Sequence, residues 1–565
     1  MRNPFHPAAP DSTPAAAPAA ETPLAPSPAP AAPPAAAEPV DPAQAAAATA
    51  IAAGYATEGA ALDLGAVVLD GRAFPTDHIR VPLAMINRHG LIAGATGTGK
   101  TRTLQLFAER LSANGVPVVV ADLKGDLSGL AEPGTANDRV TTRAADTGDD
   151  WTPTAFPVEF LALGGLGNGV PVRATVTSFG PILLSKVLGL NDTQESCLNL
   201  MFHWADKAKL PLVDLKDLQS VVRYLVSDDG KADLESLGGI SKATAGVIGR
   251  QLVTLADGGG DVFFGEPEWS PADLIRTATD GRGVVSALEL NAIQDKPVLF
   301  STFLMWLLAD LFEELPEIGD VDKPKLVFFF DEAHLLFDDA SKAFLDAVAQ
   351  TVRLIRSKGV GIFFVTQHPT DVPDEVLAQL GNRVQHALRA FTPDDATVLK
   401  KTVRTYPTTE NYDLANLLTQ LGTGEAVVTV LSERGAPTPV AWTRLAPPRA
   451  DMGQLPAEQQ TAAVQGSPLI AKYGAAVDRE SAYEMLAAKL APPPPPPSDQ
   501  TPPAAPQSAP KAETPRAKPK PKDDDGAMGT IGKVLGSKAF QSMARSVGSQ
   551  LGREITRGVF GTRRR

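Results

Sequence analysis

The chain holds a single cysteine, Cys197, among 565 residues. One cysteine excludes an intramolecular disulfide and a cysteine-built zinc cluster, and it fits a reducing compartment. Cys197 lies in the apolar helical pattern from Ser196 to Leu200, which points to a packed thiol rather than a nucleophile. Basic excess is lacking too. The net charge is −13 and the pI is near 5.2. That balance argues against a protein coated in nucleic acid, though a local basic pore is compatible with it. No secretory h-region follows Met1, where the sequence runs straight into Ala/Pro-rich residues. The most apolar run, Val298 to Leu311, is broken by Asp310 and is too short to span a bilayer; it predicts a buried helix, within an apolar helix from Lys296 to Leu315. A cytoplasmic placement with no transmembrane segment is the expectation.

What is present centres on Gly94-Ala95-Thr96-Gly97-Thr98-Gly99-Lys100-Thr101, a G-x-x-x-x-G-K-T phosphate loop. Its glycines let successive backbone N–H groups turn toward one anion. Lys100 brings a positive charge to the β- and γ-phosphates of ATP, and Thr101 offers a hydroxyl to Mg²⁺. Leu91-Ile92-Ala93 before it predicts a buried strand, and Arg102 to Leu111 a helix whose N-terminus favours an anion. Further on, Leu326 to Phe330 predicts an apolar strand ending in Asp331-Glu332, the Walker B pattern. Asp331 is placed to hold Mg²⁺ and Glu332 to orient and deprotonate the attacking water.

Other segments fill in the core. Val116 to Asp122 predicts a parallel strand, with Asp122, Lys124 and Asp126 either near the nucleotide or in a solvated loop. Gly361 to Gln367 predicts another strand, and the Gln367 amide is a candidate for the γ-phosphate or the water. The intervening helix, Ser341 to Lys358, carries Arg353 and Arg356, either an arginine finger for a neighbouring subunit or a solvated face. Leu62–Leu69 and Ile79–Met85 predict short strands, the second an edge or bulge because of Pro82. Pro439 to Leu445 predicts an antiparallel edge strand.

The order of these motifs resembles HerA/FtsK-type P-loop ATPases. It includes Arg353-Leu354-Ile355-Arg356-Ser357-Lys358-Gly359 and Thr366-Gln367-His368-Pro369. The runs Asp122 to Leu130 and Gln379 to Arg389 are similar to the bacterial HerA-like, YjgR-type branch. Asp331-Glu332-Ala333-His334 also spells the DEAH helicase box, but the glycine-flanked arginine motif of that family's second domain is not found. The resemblance covers roughly Tyr55 to Leu490. It implies an α/β fold: a RecA-like (ASCE) P-loop NTPase core, a homo-oligomer in the form of a hexameric ring, and ATP bound between subunits. It implies an arginine acting in trans, Arg356 or Arg383. HerA has a small N-terminal β-barrel. Here that place holds an Ala/Pro segment with few strand-like residues, which weakens an inference to DNA-end resection.

The expected organisation follows. Residues 1–54 are a disordered Ala/Pro-rich segment with a local helix at Ala45–Ala53, order beginning near Tyr55; 55–180 are the first part of the core, 181–260 a helical insertion, and 261–490 the rest of the core. Residues 491–525 form a Pro-rich linker. Residues 526–565 form a basic tail, with Ile531, Leu535, Met543, Val547, Leu551, Ile555 and Val559 at multiples of four. Docking onto a protein partner or the ring is favoured for that tail over a membrane surface or nucleic acid. For the whole chain, an ATP-driven ring translocase on duplex DNA competes with a P-loop ATPase that moves or remodels protein. A scaffold that binds nucleotide without hydrolysis is disfavoured by Glu332.

Overall fold

Alternation along short apolar runs builds the centre of the molecule. The computed structural model describes residues 41–490, apart from 237–238, 294–296, 320 and 338–341. The linker and tail readings lie outside those residues. Twelve strands form one sheet among the described residues. They are β1 (Ala61–Leu69), β2 (Arg72–Pro82), β3 (Gly90–Ala93), β4 (Val118–Asp122), β5 (Val158–Leu163), β6 (Val170–Val172), β7 (Val285–Glu289), β8 (Leu326–Phe330), β9 (Val360–Thr366), β10 (Asn382–Gln385), β11 (Glu425–Thr429) and β12 (Ala441–Leu445). Their order is β2-β1-β12-β11-β10-β3-β9-β8-β4-β7-β5-β6.

From β10 to β6 every pairing is parallel. Both faces of a parallel sheet are covered, so its strands read as continuous apolar runs. Val118, Val120, Val327 and Phe329 point into one core with Leu104 and Phe107 of helix α2 (Lys100–Ala113). Val119, Ala121, Phe328 and Phe330 point into the other, with the apolar helix Pro297–Glu314. The phosphate-loop strand β3 and the Walker B strand β8 are separated by β9. That spacing is the frame of a RecA-like α/β core.

Two expectations are corrected at the other end of the sheet. Segment β12 is not an edge: it pairs antiparallel with both β11 and β1. The β1–β2 hairpin extends the sheet beyond it, and β2, containing Pro82, is the edge. Order also begins before Tyr55. Helix α1 (Pro42–Ala53) lies within the stretch expected to be disordered, and its Ala48 and Ile51 are buried with Tyr55. The Tyr55 hydroxyl donates to the Val428 carbonyl at 2.8 Å, which ties this start of the chain to β11.

Between β6 and β7 run the helices Val176–Val187, Asp192–Lys207, Leu215–Leu225, Lys231–Ser236 and Lys242–Leu255. The capping box of Asp214 and Asp217 starts the third of these. Asp217 also accepts from Ser481 Oγ at 2.5 Å and from the Tyr483 amide at 2.8 Å. The helix Ala482–Leu490 is thereby fastened to the inserted helices. Cys197 is half-buried against this core, and burial raises its thiol pKa. No described helix is long and apolar enough to cross a membrane.

Candidate nucleotide site

Parallel strands deliver their loops to one edge of a sheet, where open α/β folds bind ligands. Here Ala93 leads into the phosphate loop and Phe330 into the acidic pair. Gly94 has φ 154°, and a Cβ there would lie 2.5 Å from the His386 Cβ. Only glycine fits that approach. The Gly94 amide donates to the Thr366 and Gln367 carbonyls at 3.2 and 3.1 Å. Gln367 is therefore held at the mouth of the loop, half-buried. Ala95 donates to the Ala387 carbonyl at 2.8 Å, and its own carbonyl accepts from Thr98 Oγ1 at 2.7 Å and Lys100 Nζ at 3.3 Å. Thr96 and Gly97 are exposed at the crest, and Thr101 is half-buried. Gly99 is the N-cap of helix α2, and no side chain caps the first amides of the helix. Those N–H groups are open to an anion.

Asp331 and Glu332 end β8 within electrostatic range of Lys100. Burial lowers the Lys100 ammonium pKa, and the Glu332 and Asp331 charges offset part of that. Burial pushes the Asp331 carboxyl up to about 7, with the Glu332 charge adding to the shift. Asp331 Oδ1 accepts the Glu332 amide at 3.0 Å, whereas buried Oδ2 has no hydrogen-bond partner among the described residues. A buried carboxylate oxygen left unpaired is costly and suits a cation that arrives with the ligand. Glu332 has φ 49°, a left-handed conformation rare for a side chain with a Cβ. Neighbouring strands hold it there: Ala333 donates to Val365 at 2.9 Å. Such local strain is typical of functional positions.

The three acids and bases of the loop after β4 separate in role. Asp122 is fully buried and accepts the amides of Lys124, Gly125 and Leu127 at 3.1, 2.8 and 2.9 Å. It shapes the loop. Lys124 pairs directly with Glu332 Oε1. Burial alone would lower Lys124, but the Glu332 carboxylate outweighs it and holds the amine above its usual value. Asp126 is half-buried.

The two arginines expected to act in trans are not at this chain's own phosphate loop. Arg356 follows the helix Lys342–Ile355 and lies before β9, close enough to His89 for its charge to act there. That is the opposite end of β3. Arg383 pairs with Leu91 inside the sheet, and its Nε reaches the Leu380 carbonyl at 3.5 Å. Val384 belongs to the core under α2, so Arg383, one residue earlier, faces away from that core. Arg353 is exposed.

Several site residues escaped the sequence reading. His386 is fully buried behind the loop with Nε2 2.8 Å from Thr103 Oγ1, and burial lowers it to about 4. It is neutral at pH 7 and acts as a wall. Arg389 reaches the Thr96 carbonyl at 3.5 Å. Asp371 accepts from Thr366 Oγ1 at 2.6 Å and the His368 amide at 2.8 Å. Beside Gly99 opens a cavity of about 260 Å³ bounded by Arg102, Thr103, Arg139, Arg143, Leu445 and Met452. The run Gln379 to Arg389 contained two of these residues, but nothing in their types announced a role. The arginine-lined cavity joins segments far apart in sequence.

Residues 70–565 match the family model described as helicase HerA-like, C-terminal. The chain belongs to that family. A probable helicase of Methanocaldococcus jannaschii is 30% identical over 156 residues, 26% of this chain and 28% of that protein. The DNA double-strand break repair helicase HerA of Sulfurisphaera tokodaii is 22% identical over 357 residues, 62% of this chain and 64% of that protein. The HerA-like chain thus spans less than two thirds of the length of these curated relatives. Among solved structures, the bacterial conjugative coupling protein TrwB is 16% identical, with 73% of this chain and 94% of that one aligned at a TM-score of 0.47.

Proposed function

We propose that this HerA-like chain is an ATP-hydrolysing motor that works in the cytoplasm as a hexameric ring and translocates on duplex DNA. One observation carries the catalytic half of that reading. The open phosphate loop and helix end face an acidic pair in which one carboxylate oxygen is buried and unpaired. Gly94 to Thr101 and the α2 amides would hold the phosphates, and Lys100 would neutralise them. Thr101 and Asp331 would hold Mg²⁺, which would neutralise charge that develops on the phosphates. Two protein oxygens are few, which suits a cation that keeps most of its water. Glu332 would orient water and take its proton, and Gln367 is near enough to the loop to contact the γ-phosphate or that water. The cavity beside Gly99 would receive the nucleoside, whose planar base an arginine guanidinium can stack on.

The DNA half rests on the family and on the name of the Sulfurisphaera relative. Steady-state ATP hydrolysis with and without linear duplex DNA tests both halves, with Lys100→Ala as the control. Hydrolysis that rises with DNA and disappears in Lys100→Ala is expected. Hydrolysis that DNA leaves unchanged would favour the reading in which protein is the substrate. Full activity in Lys100→Ala would remove the phosphate-loop reading itself.

A further inference from the structure

The contact between Lys124 and Glu332 joins two groups with opposed needs. Glu332 can take a proton from water only if a carboxylate oxygen is free to face that water. Here Oε1 is held by the Lys124 ammonium, and Oε2 is buried without a hydrogen-bond partner among the described residues, with His334 Nδ1 3.4 Å away. The Lys124 backbone is fixed from two sides. Asp122 accepts its amide at 3.1 Å, and Gln454 Nε2 donates to its carbonyl at 3.0 Å. Its side chain is 49% exposed, whereas the Glu332 side chain is 12% exposed. The lysine is therefore the partner that can swing, on a stem anchored beside the acidic pair. Its charge also acts on Lys100, the residue expected at the γ-phosphate.

From this pairing we infer that Lys124 is a positioning residue that senses the terminal phosphate, holding Glu332 idle until a γ-phosphate draws its ammonium away. This rests on the nucleotide reading above. A γ-phosphate presents more negative charge than one carboxylate, so it competes for the amine. An ADP terminus lacks that group and leaves the pair closed. Nothing is transferred in this step. One charge-assisted hydrogen bond is exchanged for another, and the freed Glu332 oxygen faces water.

Equilibrium binding of Mg²⁺–ADP and of a non-hydrolysable Mg²⁺–ATP analogue to the full chain provides the test, alongside ATP turnover. Because the two bonds are exchanged, only the excess of the phosphate contact over the carboxylate contact reaches the affinity, on the order of tenfold. Lys124→Met should weaken analogue binding by about tenfold and leave ADP binding within about twofold. Lys124→Arg should restore the preference for the analogue. Glu332→Gln releases Lys124, so it should tighten analogue binding in the parent background and fail to do so beside Lys124→Met. Equal loss of ADP and analogue binding in Lys124→Met would mark the lysine as a structural brace and overturn the inference. So would a Glu332→Gln gain that persists without Lys124. If the parent chain neither binds nor hydrolyses ATP, the fault lies in the nucleotide reading instead, so the two failures are distinguishable.

Discussion

Asp331 and Glu332 are neighbours in sequence but meet different surroundings. Asp331 is buried with an unpaired oxygen, while Glu332 turns through a left-handed backbone to meet Lys124. In the function proposed above, the first arrangement suits a cation and the second a proton. The roles can be separated by one atom. Glu332→Gln keeps size but loses the charge that holds Lys124 and cannot accept a proton, and loss of a general base typically costs about 10²–10⁴-fold in rate. That variant should bind Mg²⁺–ATP and hydrolyse it slower by this factor in a single-turnover assay. Hydrolysis at the parent rate would show that another residue activates water.

Elements record how much of this was open to reading in advance. The β3–loop–α2 unit and β8 were legible because a phosphate loop and an apolar strand ending in two acids are local signals. The helix Pro297–Glu314 was legible as an apolar run too long for a strand. The position of β12 was not, because pairing partners are set by contacts distant in sequence and the β1–β2 hairpin covers its outer edge. Helix α1 was legible as a local alanine-rich helix at Ala45–Ala53, but its docking was not: the composition predicts disorder, yet Ala48, Ile51 and Tyr55 are buried. At the site, Lys124 and Glu332 are 208 residues apart, so no spacing rule could pair them. The apolar helix also carries a titration. Burial raises its Asp310 to about 7, with the Glu314, Glu268 and Glu313 charges adding to it. An aspartate in an unfolded chain titrates near 3.9. The folded protein therefore holds the proton that the unfolded chain releases between about pH 4 and pH 7, and stability falls as pH rises through that window. Asp310→Asn removes this contribution. It should raise the unfolding midpoint at pH 8 and change it little at pH 4. A thermal melt series that shows equal shifts at both pH values would contradict the assignment.

At the scale of the whole molecule, neither candidate arginine lies at this chain's own phosphate loop. Arg356 stands at the start of the strands, beside His89, while the phosphate loop stands at their ends. The four residues of β3 lie between, about 13 Å at the usual strand rise. Arg383 faces away from the core under α2. An arginine finger stabilises charge only where it touches the transferring phosphoryl group. If either arginine serves that purpose, it must do so in a second copy of the chain. Arg356→Ala and Arg383→Ala should both still bind ATP, and at least one should lose hydrolysis. Mixing that variant with Glu332→Gln regenerates interfaces that carry both an intact arginine and an intact base, provided subunits exchange. Activity should return in part, rising and then falling with the mixing ratio, while neither variant alone is active. Full-rate hydrolysis by a species that light scattering shows to be monomeric would mean that each chain works alone, and the ring would then have to be justified by something other than catalysis.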